Sequence, residues 1–190
     1  MSRRQSSIPA RYFEDLYAGE RDPWEFETSA YEQAKYDATI AALEDRRFAN
    51  GLEIGCSIGV LTQRLATRVD DLLAIDVAEA ALDRARARDL PNVAFELREV
   101  PEQFPDGAYD LVVISEVMYY LDAGAFAATC DAIERTLDGV LLAVHWRPSA
   151  PRYPFTGDEV HERLNARFGP PTYSRREDKY NLDRFAVCGS

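Results

Sequence analysis

Three groups of residues in this 190-residue chain have types and spacings suited to chemistry. The first is Leu52-Glu53-Ile54-Gly55-Cys56-Ser57-Ile58-Gly59, an apolar strand running into a glycine turn and then a helix. One helix's length later, Leu72-Leu73-Ala74-Ile75-Asp76 is a second apolar strand that stops at an acid. An open α/β sheet makes a nucleoside pocket in this way, at the carboxyl ends of neighbouring strands. The glycines stand as G-x-x-x-G, without the G-x-G-x-x-G that lets backbone approach a pyrophosphate. Glu53, just before the turn, would repel phosphates and suit a cation. A positively charged nucleoside without phosphates is S-adenosyl-L-methionine, whose product after methyl transfer is S-adenosyl-L-homocysteine. Gly55 and Gly59 let backbone approach the ligand and let the helix start close to the strand. The Asp76 carboxylate, followed by Val77, can accept both ribose hydroxyls in charge-assisted bonds, or alternatively cap the next helix. Cys56 is a small residue filling the turn or, alternatively, a nucleophile.

The other two groups are Ser115-Glu116-Val117-Met118-Tyr119-Tyr120-Leu121 and His145-Trp146-Arg147, each following a predicted strand. A methyl carbon on a sulfonium needs an aligned nucleophile and the exclusion of water. An amine acceptor must be neutral when it attacks. Glu116 or His145 could take its proton, since histidine titrates near neutral pH. Tyr119 and Tyr120 could orient the amine, with Trp146 and Arg147 lining the acceptor and Ser115 at the cofactor edge. Glu116 could instead cap a helix after its strand. His161, on a helix flank beside Val160, reads as a structural histidine or as a ligand.

The elements that must position these groups follow a regular order. A short helix near Tyr12–Tyr17 precedes a turn at Asp22-Pro23-Trp24, and Ser29-Ala30-Tyr31-Glu32 has the capping-box pattern of a second helix. Strands are expected to end at Ile54 and to span Leu72–Asp76, Val93–Leu97, Tyr109–Ser115 and Val140–Val144. Tyr109-Asp110-Leu111-Val112-Val113-Ile114-Ser115 is a continuous apolar run, the mark of a strand buried on both faces. A helix with Phe126, Cys130, Ile133 and Leu137 on one stripe is expected to end near Asp138-Gly139. Thr156-Gly157-Asp158-Glu159 is a second capping box, opening a helix stopped by Gly169-Pro170-Pro171. The last two extended segments, near Thr172–Glu177 and Asn181–Val187, are too close in sequence for a parallel crossover and must pair antiparallel. The fold class expected is α/β: a Rossmann-like, mostly parallel seven-stranded sheet with helices on both faces and a C-terminal antiparallel hairpin. A single domain over 1–190 is expected, with N-terminal lid helices at 1–46 and the core at 47–190.

Composition narrows the partners. A net charge of −11 makes a phosphate backbone an unlikely ligand and favours a neutral or amine-bearing small molecule. Arg84, Arg86 and Arg88 read as the solvated face of a helix. No segment has the roughly 20 apolar residues that span a bilayer, so no membrane partner and a cytoplasmic location are expected. Three cysteines far apart give neither a disulfide framework nor zinc spacing, and no metal site is expected. Cys130 and Cys188 read as core. A nicotinamide-dependent oxidoreductase is disfavoured, because the third glycine is missing and no length remains for a substrate domain.

Strand–helix alternation closing on a hairpin, with Glu53-x-Gly55-x-x-x-Gly59, Asp76 and Tyr109-Asp110-Leu111-Val112-Val113, resembles the class I S-adenosylmethionine-dependent methyltransferases. That resemblance implies that Glu53 lies near the methionine moiety. It also places an adenine contact after the third strand, where Arg98 stands at the usual acidic position and Glu99 follows. Arg98 could stack on the adenine or pair with Glu99. The lid would be Asp22-Pro23-Trp24-Glu25-Phe26 and the helix bearing Tyr31 and Lys35; Trp24 is either lid or surface staple. A narrower set of residues is similar to the nodulation protein S group: Asp22-Pro23-Trp24, Tyr31-Glu32-Gln33-x-Lys35-Tyr36, Glu53-Ile54-Gly55-Cys56, Ser115–Leu121 and Gly157-Asp158-Glu159-Val160-His161. It implies methylation of a free amine on a deacetylated glucosamine of a chitooligosaccharide; separately, a monomer or homodimer is expected. An O- or carboxyl-methyltransferase of a small metabolite, or a non-catalytic S-adenosylmethionine-binding protein, are the alternatives.

Overall fold

The computed structural model describes residues 3–148 and 150–188. Among these, the order of elements is α1 (Ala10–Gly19), α2 (Ala30–Ala41), β1 (Phe48–Ile54), α3 (Val60–Leu65), β2 (Val69–Asp76), α4 (Glu79–Arg86) and β3 (Val93–Leu97). There follow β4 (Tyr109–Ser115), a 3-10 turn (Met118–Tyr120), α5 (Ala123–Thr136), β5 (Leu137–Trp146), α6 (Gly157–Phe168), β6 (Tyr173–Arg176) and β7 (Tyr180–Val187). The seven strands make one mixed sheet of the Rossmann-like type. The chain divides into two compact units, Pro9–Glu99 and Val100–Ser190 with Met1–Ile8. The two N-terminal helices group with β1–β3 in the first of these units.

In the Pro9–Glu99 unit the strands run β3-β2-β1 and all pair parallel, Leu52 opposite Leu73 and Asp76 opposite Leu97. Leu52, Ile54, Leu72, Ala74 and Ile75 are buried. Both strands lose nearly all their apolar surface, which at about 25 cal/mol per Å² is the main force holding them together. The small residues Ala81 and Ala85 of α4 are fully buried and let that helix come close to the glycine turn. A methyl group on Gly59 would lie 3.1 Å from Ala85 Cβ. Two expectations are corrected here. Ser29 makes no side-chain cap at α2, and Glu32, which would complete the box by reaching back, is in a 2.8 Å ion pair with Lys35. Arg84 and Arg88 are not merely solvated. Arg84 donates to the carbonyls of Tyr17 (2.9 Å) and Arg21 (2.8 Å), and Arg88 to that of Ile58 (2.6 Å). Carbonyls in the last turn of α1 and in the loops, left without a ladder partner, take up the arginine forks.

In the other unit β4 and β5 pair parallel, and β7 pairs antiparallel with both β5 and β6, in the order β4-β5-β7-β6. Leu111, Val112, Val113 and Ile114 are completely buried, as the unbroken apolar run of β4 requires. β5 begins at Leu137, directly at the end of α5, and is longer than expected. Gly139, near the expected end of the helix, instead lies within the strand, and the glycine is there because a Cβ would stand 2.2 Å from the Asp110 carbonyl oxygen of β4. At α6 the capping box forms: Glu159 N–H donates to Thr156 Oγ1 and Thr156 N–H to Glu159 Oε2, at 3.2 and 2.7 Å. The N-terminal residues lie along this unit. Ser7 Oγ meets Asp122 at 2.9 Å, Ile8 N–H donates to the Tyr120 carbonyl at 2.8 Å, and Arg3 pairs with Glu159. Cys130 is buried as expected, whereas Cys188, just past the end of β7, is exposed. Among the described residues, no helix is long and apolar enough to cross a membrane.

Candidate active site

The glycine turn leaves β1 with three residues in left-handed backbone: Gly55 at φ +84°, Ser57 at +52° and Gly59 at +78°. Glycine takes this conformation freely, whereas a serine needs outside support. Ser57 has it. Its N–H donates to Asp76 Oδ2 at 2.8 Å, and Tyr17 of α1 holds its hydroxyl. The N–H groups of Gly55 and Cys56 both donate to the Ile75 carbonyl, at 2.9 and 3.0 Å. Asp76 Oδ1 accepts the Ala78 N–H at 3.0 Å. One carboxylate thus binds the turn to β2 and closes a local turn on Ala78, but it does not cap α4, whose N-cap residue is Ala78 with no side-chain cap bond.

Glu53 sits beneath this turn at 1% exposure. Burial pushes its carboxyl up to about 8; the Thr62 hydroxyl draws it partway back, and Asp76 raises it further. Its Oε2 makes no hydrogen bond to any described residue. An orphaned, buried carboxyl oxygen fits a ligand that brings a positive charge or N–H donors, as an S-adenosylmethionine molecule does. Burial also raises Asp76, against the pull of the Ser57, Ala78 and Val77 amides. The Cys56 thiol is pushed well up by burial and by the same two carboxyls. It packs with Ala74 and Leu82, as a turn filler and not a nucleophile.

The remaining expected cofactor residues divide. Val77 is half-buried beside Asp76. Arg98 is held to the end of β2 by its N–H on the Asp76 carbonyl (3.0 Å), while its guanidinium pairs with Glu96 at 2.6 Å; Glu99 is exposed. Trp24 stacks on Phe26 and meets Tyr17 edge-on, both at 5.5 Å. The ring that reaches the turn is therefore Tyr17, which the sequence marked only as a residue of a short helix. Tyr31 is half-buried on α2, its ring 5.4 Å from the Lys35 ammonium.

In the Val100–Ser190 unit, β4 delivers Ser115, 8% exposed, and then Glu116 at φ +59°. A bulky residue in left-handed backbone is uncommon and tends to occur at functional sites. Glu116 caps no α-helix, since only a single 3-10 turn follows. Its Oε2 instead accepts the Tyr119 hydroxyl at 2.6 Å and the Trp146 N–H at 2.7 Å. Around it, Tyr119 meets Tyr120 edge-on at 4.5 Å and stacks on Tyr153 at 5.5 Å, and Tyr120 meets Tyr153 at 4.8 Å. Burial pushes the Tyr119 and Tyr120 hydroxyls well up, so both stay protonated. Tyr153 was not anticipated, because it lies in the irregular stretch after β5, where no periodicity marks which residues face inward.

Two expected roles meet a different geometry. His145 is completely buried, with Nε2 taken by the Met118 N–H (3.3 Å) and Nδ1 by His161 Nε2 (3.2 Å). A ring closed in on both nitrogens cannot accept a proton from an acceptor, so His145 is not placed as a general base. Arg147 is not offered to a substrate either. Its fork holds Asp158 at 2.8 and 3.3 Å and the Glu177 carbonyl at 2.7 Å, tying the end of β5 to α6 and to the β6–β7 turn. Trp146 is half-buried and serves Glu116 through its backbone.

The fold and the acid-flanked glycine turn define the class I methyltransferase architecture. The family model described as nodulation protein S (NodS) matches residues 14–137, well over half of the chain. The chain belongs to the NodS family. A nodulation protein S of Rhizobium tropici is 33% identical over 103 residues, covering 53% of this chain and 43% of the relative. The match thus spans less than half the length of that curated relative. Among solved structures, a candidate methyltransferase from Pseudomonas syringae is 35% identical, with a TM-score of 0.73 over 83% of this chain and 99% of that one. The N-methyltransferase NodS from Bradyrhizobium japonicum WM9, in complex with S-adenosyl-L-homocysteine, shares the fold at 24% identity, with a TM-score of 0.79 over 93% of this chain and 96% of that one.

Proposed function

We propose that this chain is an S-adenosylmethionine-dependent methyltransferase acting on the free amine of a small acceptor, of the aminosugar class implied by the resemblance to nodulation protein S. The observation that carries the reading is Glu116, a carboxylate held in left-handed backbone by two hydrogen bonds and enclosed by tyrosines. A carboxylate among aromatic faces suits an amine, which offers N–H donors and, when protonated, a cation. The glycine turn, Glu53 and Asp76 are the residues that would hold the cofactor, which when bound supplies an electrophilic methyl group. Asp76 would take the ribose hydroxyls, and Glu53 would balance the positive charge near the methionine end. Glu116 would fix the amine nitrogen and take up its proton, while Tyr119, Tyr120 and Tyr153 would exclude water. With no free nitrogen, His145 leaves the proton-accepting role to Glu116.

The test is methyl transfer to a chitooligosaccharide carrying one free amine, beside its fully acetylated counterpart. Transfer is expected to the free amine alone, and Glu116→Gln is expected to lower turnover on the order of 100-fold with the affinity for S-adenosylhomocysteine retained. Equal transfer to the acetylated sugar would exclude amine methylation.

A further inference from the structure

Behind the acceptor turn, three buried polar side chains stand in line. The Met118 N–H lies 3.3 Å from His145 Nε2, His145 Nδ1 lies 3.2 Å from His161 Nε2, and His161 Nδ1 lies 2.6 Å from Asp183 Oδ2. His145 is 0% exposed, His161 1% and Asp183 4%. The end groups set the direction of every bond. An amide N–H can only donate, so His145 Nε2 presents a lone pair; an ionised carboxylate can only accept, so His161 Nδ1 carries a proton. His145 Nδ1–H then donates to His161 Nε2, the one arrangement that leaves both rings neutral. The Asp183 carboxyl is the ionised end group: burial pushes it up, but the hydrogen bonds from His161 and Ser174, with the electrostatic pull of His161 and Arg176, hold it below its ordinary value. Both imidazoles therefore carry their proton on Nδ1, the less favoured tautomer in water, and the outer partner of each fixes that choice.

The line ends on the backbone that positions Glu116. Met118 follows Glu116 by two residues, and His145 precedes Trp146, whose N–H binds the Glu116 carboxylate. The Tyr119 ring, which donates to the same carboxylate, packs edge-on against His145 at 5.5 Å. We propose that His145, His161 and Asp183 are positioning residues for the transfer, a neutral hydrogen-bond relay anchored on β7 that holds the acceptor turn and so sets Glu116 and Tyr119. The inference rests on the reading of Glu116 as the amine-binding carboxylate.

The chain has two histidines, so a nitrogen-15 spectrum of the wild-type protein reports both tautomers without crowding. Both are expected as Nδ1–H. A proton on Nε2 of either ring would overturn the relay, and this reading needs no variant to fold. His145→Leu removes the acceptor for the Met118 amide, whereas His145→Gln keeps one. His145→Leu should lower kcat for the free-amine acceptor on the order of 10- to 100-fold, with the Kd for S-adenosylhomocysteine within about twofold of wild type. It should also speed amide exchange across residues 115–121, and His145→Gln should restore most of both. Wild-type turnover in His145→Leu, or equal damage in His145→Gln, would sink the proposal. If the wild-type protein methylates no amine, the functional reading fails, while the tautomers and the amide exchange still decide whether the relay exists.

Discussion

A single acid, Glu53, links the cradle to pH. Its carboxyl moves from 4.5 to about 8 on burial, so between those values the folded chain holds a proton that the unfolded chain has lost. Stability therefore falls as pH rises through this window, the opposite of the behaviour of an ion-paired acid. Glu53→Gln should remove that fall, gaining thermal stability relative to wild type at pH 9 and not at pH 5, as read by thermal unfolding. A ligand with a positive charge near Glu53 favours the ionised form. Cofactor binding should thus release a proton below about pH 8 and tighten as pH rises towards that value. Calorimetry in two buffers of different ionisation enthalpy measures the release, and its absence would remove Glu53 from the contact. Asp76 and Gly55 were readable in the sequence because a strand ending on an acid and a turn needing positive φ each leave a residue-type signature. Tyr17 and Tyr153 were not, because an aromatic residue on a short helix or an irregular stretch has the same signature whether it packs or binds.

At the scale of elements, the same spacing suggested a capping box at α2 and at α6, and only the one at α6 forms. Glu159 completes its box while also pairing with Arg3, whereas Glu32 is paired with Lys35 and Ser29 makes no side-chain cap. Thr156→Ala should lower the stability of the chain by about 1 kcal/mol, seen as a shift in the denaturant midpoint without a change in slope. Because α6 carries His161, the same variant should loosen the acceptor turn. The strand positions and the C-terminal hairpin followed from apolar runs and short connections, whereas the order of the strands came only with the structure. The ends of β5 did not, since Leu137 and Gly139 serve a strand whose contacts lie on β4, far away in sequence. His145 illustrates the same limit. A histidine just inside the end of a strand looks catalytic until its buried neighbours, on α6 and β7, are known.

For the molecule as a whole, a net charge of −11 sets what it will leave alone. Polyanions are repelled over a distance of about 8 Å at physiological ionic strength, which argues against nucleic acid as the acceptor. Each of the two units carries one half of the proposed chemistry, the cofactor residues in Pro9–Glu99 and the Glu116 carboxylate in Val100–Ser190. Sequence alone pointed to both sets of residues, because each sits where a strand ends. What holds each half in place came only with the tertiary contacts.

The position of Cys188 has a practical outcome. Cys56 and Cys130 are sealed in the interior, with thiols that burial keeps protonated, whereas Cys188 lies open to solvent just after the last strand. A maleimide dye should therefore attach once per chain, at one known point. Intact mass should show a single adduct on the native protein and three after denaturation. The tagged molecule would give a fluorescence titration of the cofactor and of the proposed acceptor with no engineered handle.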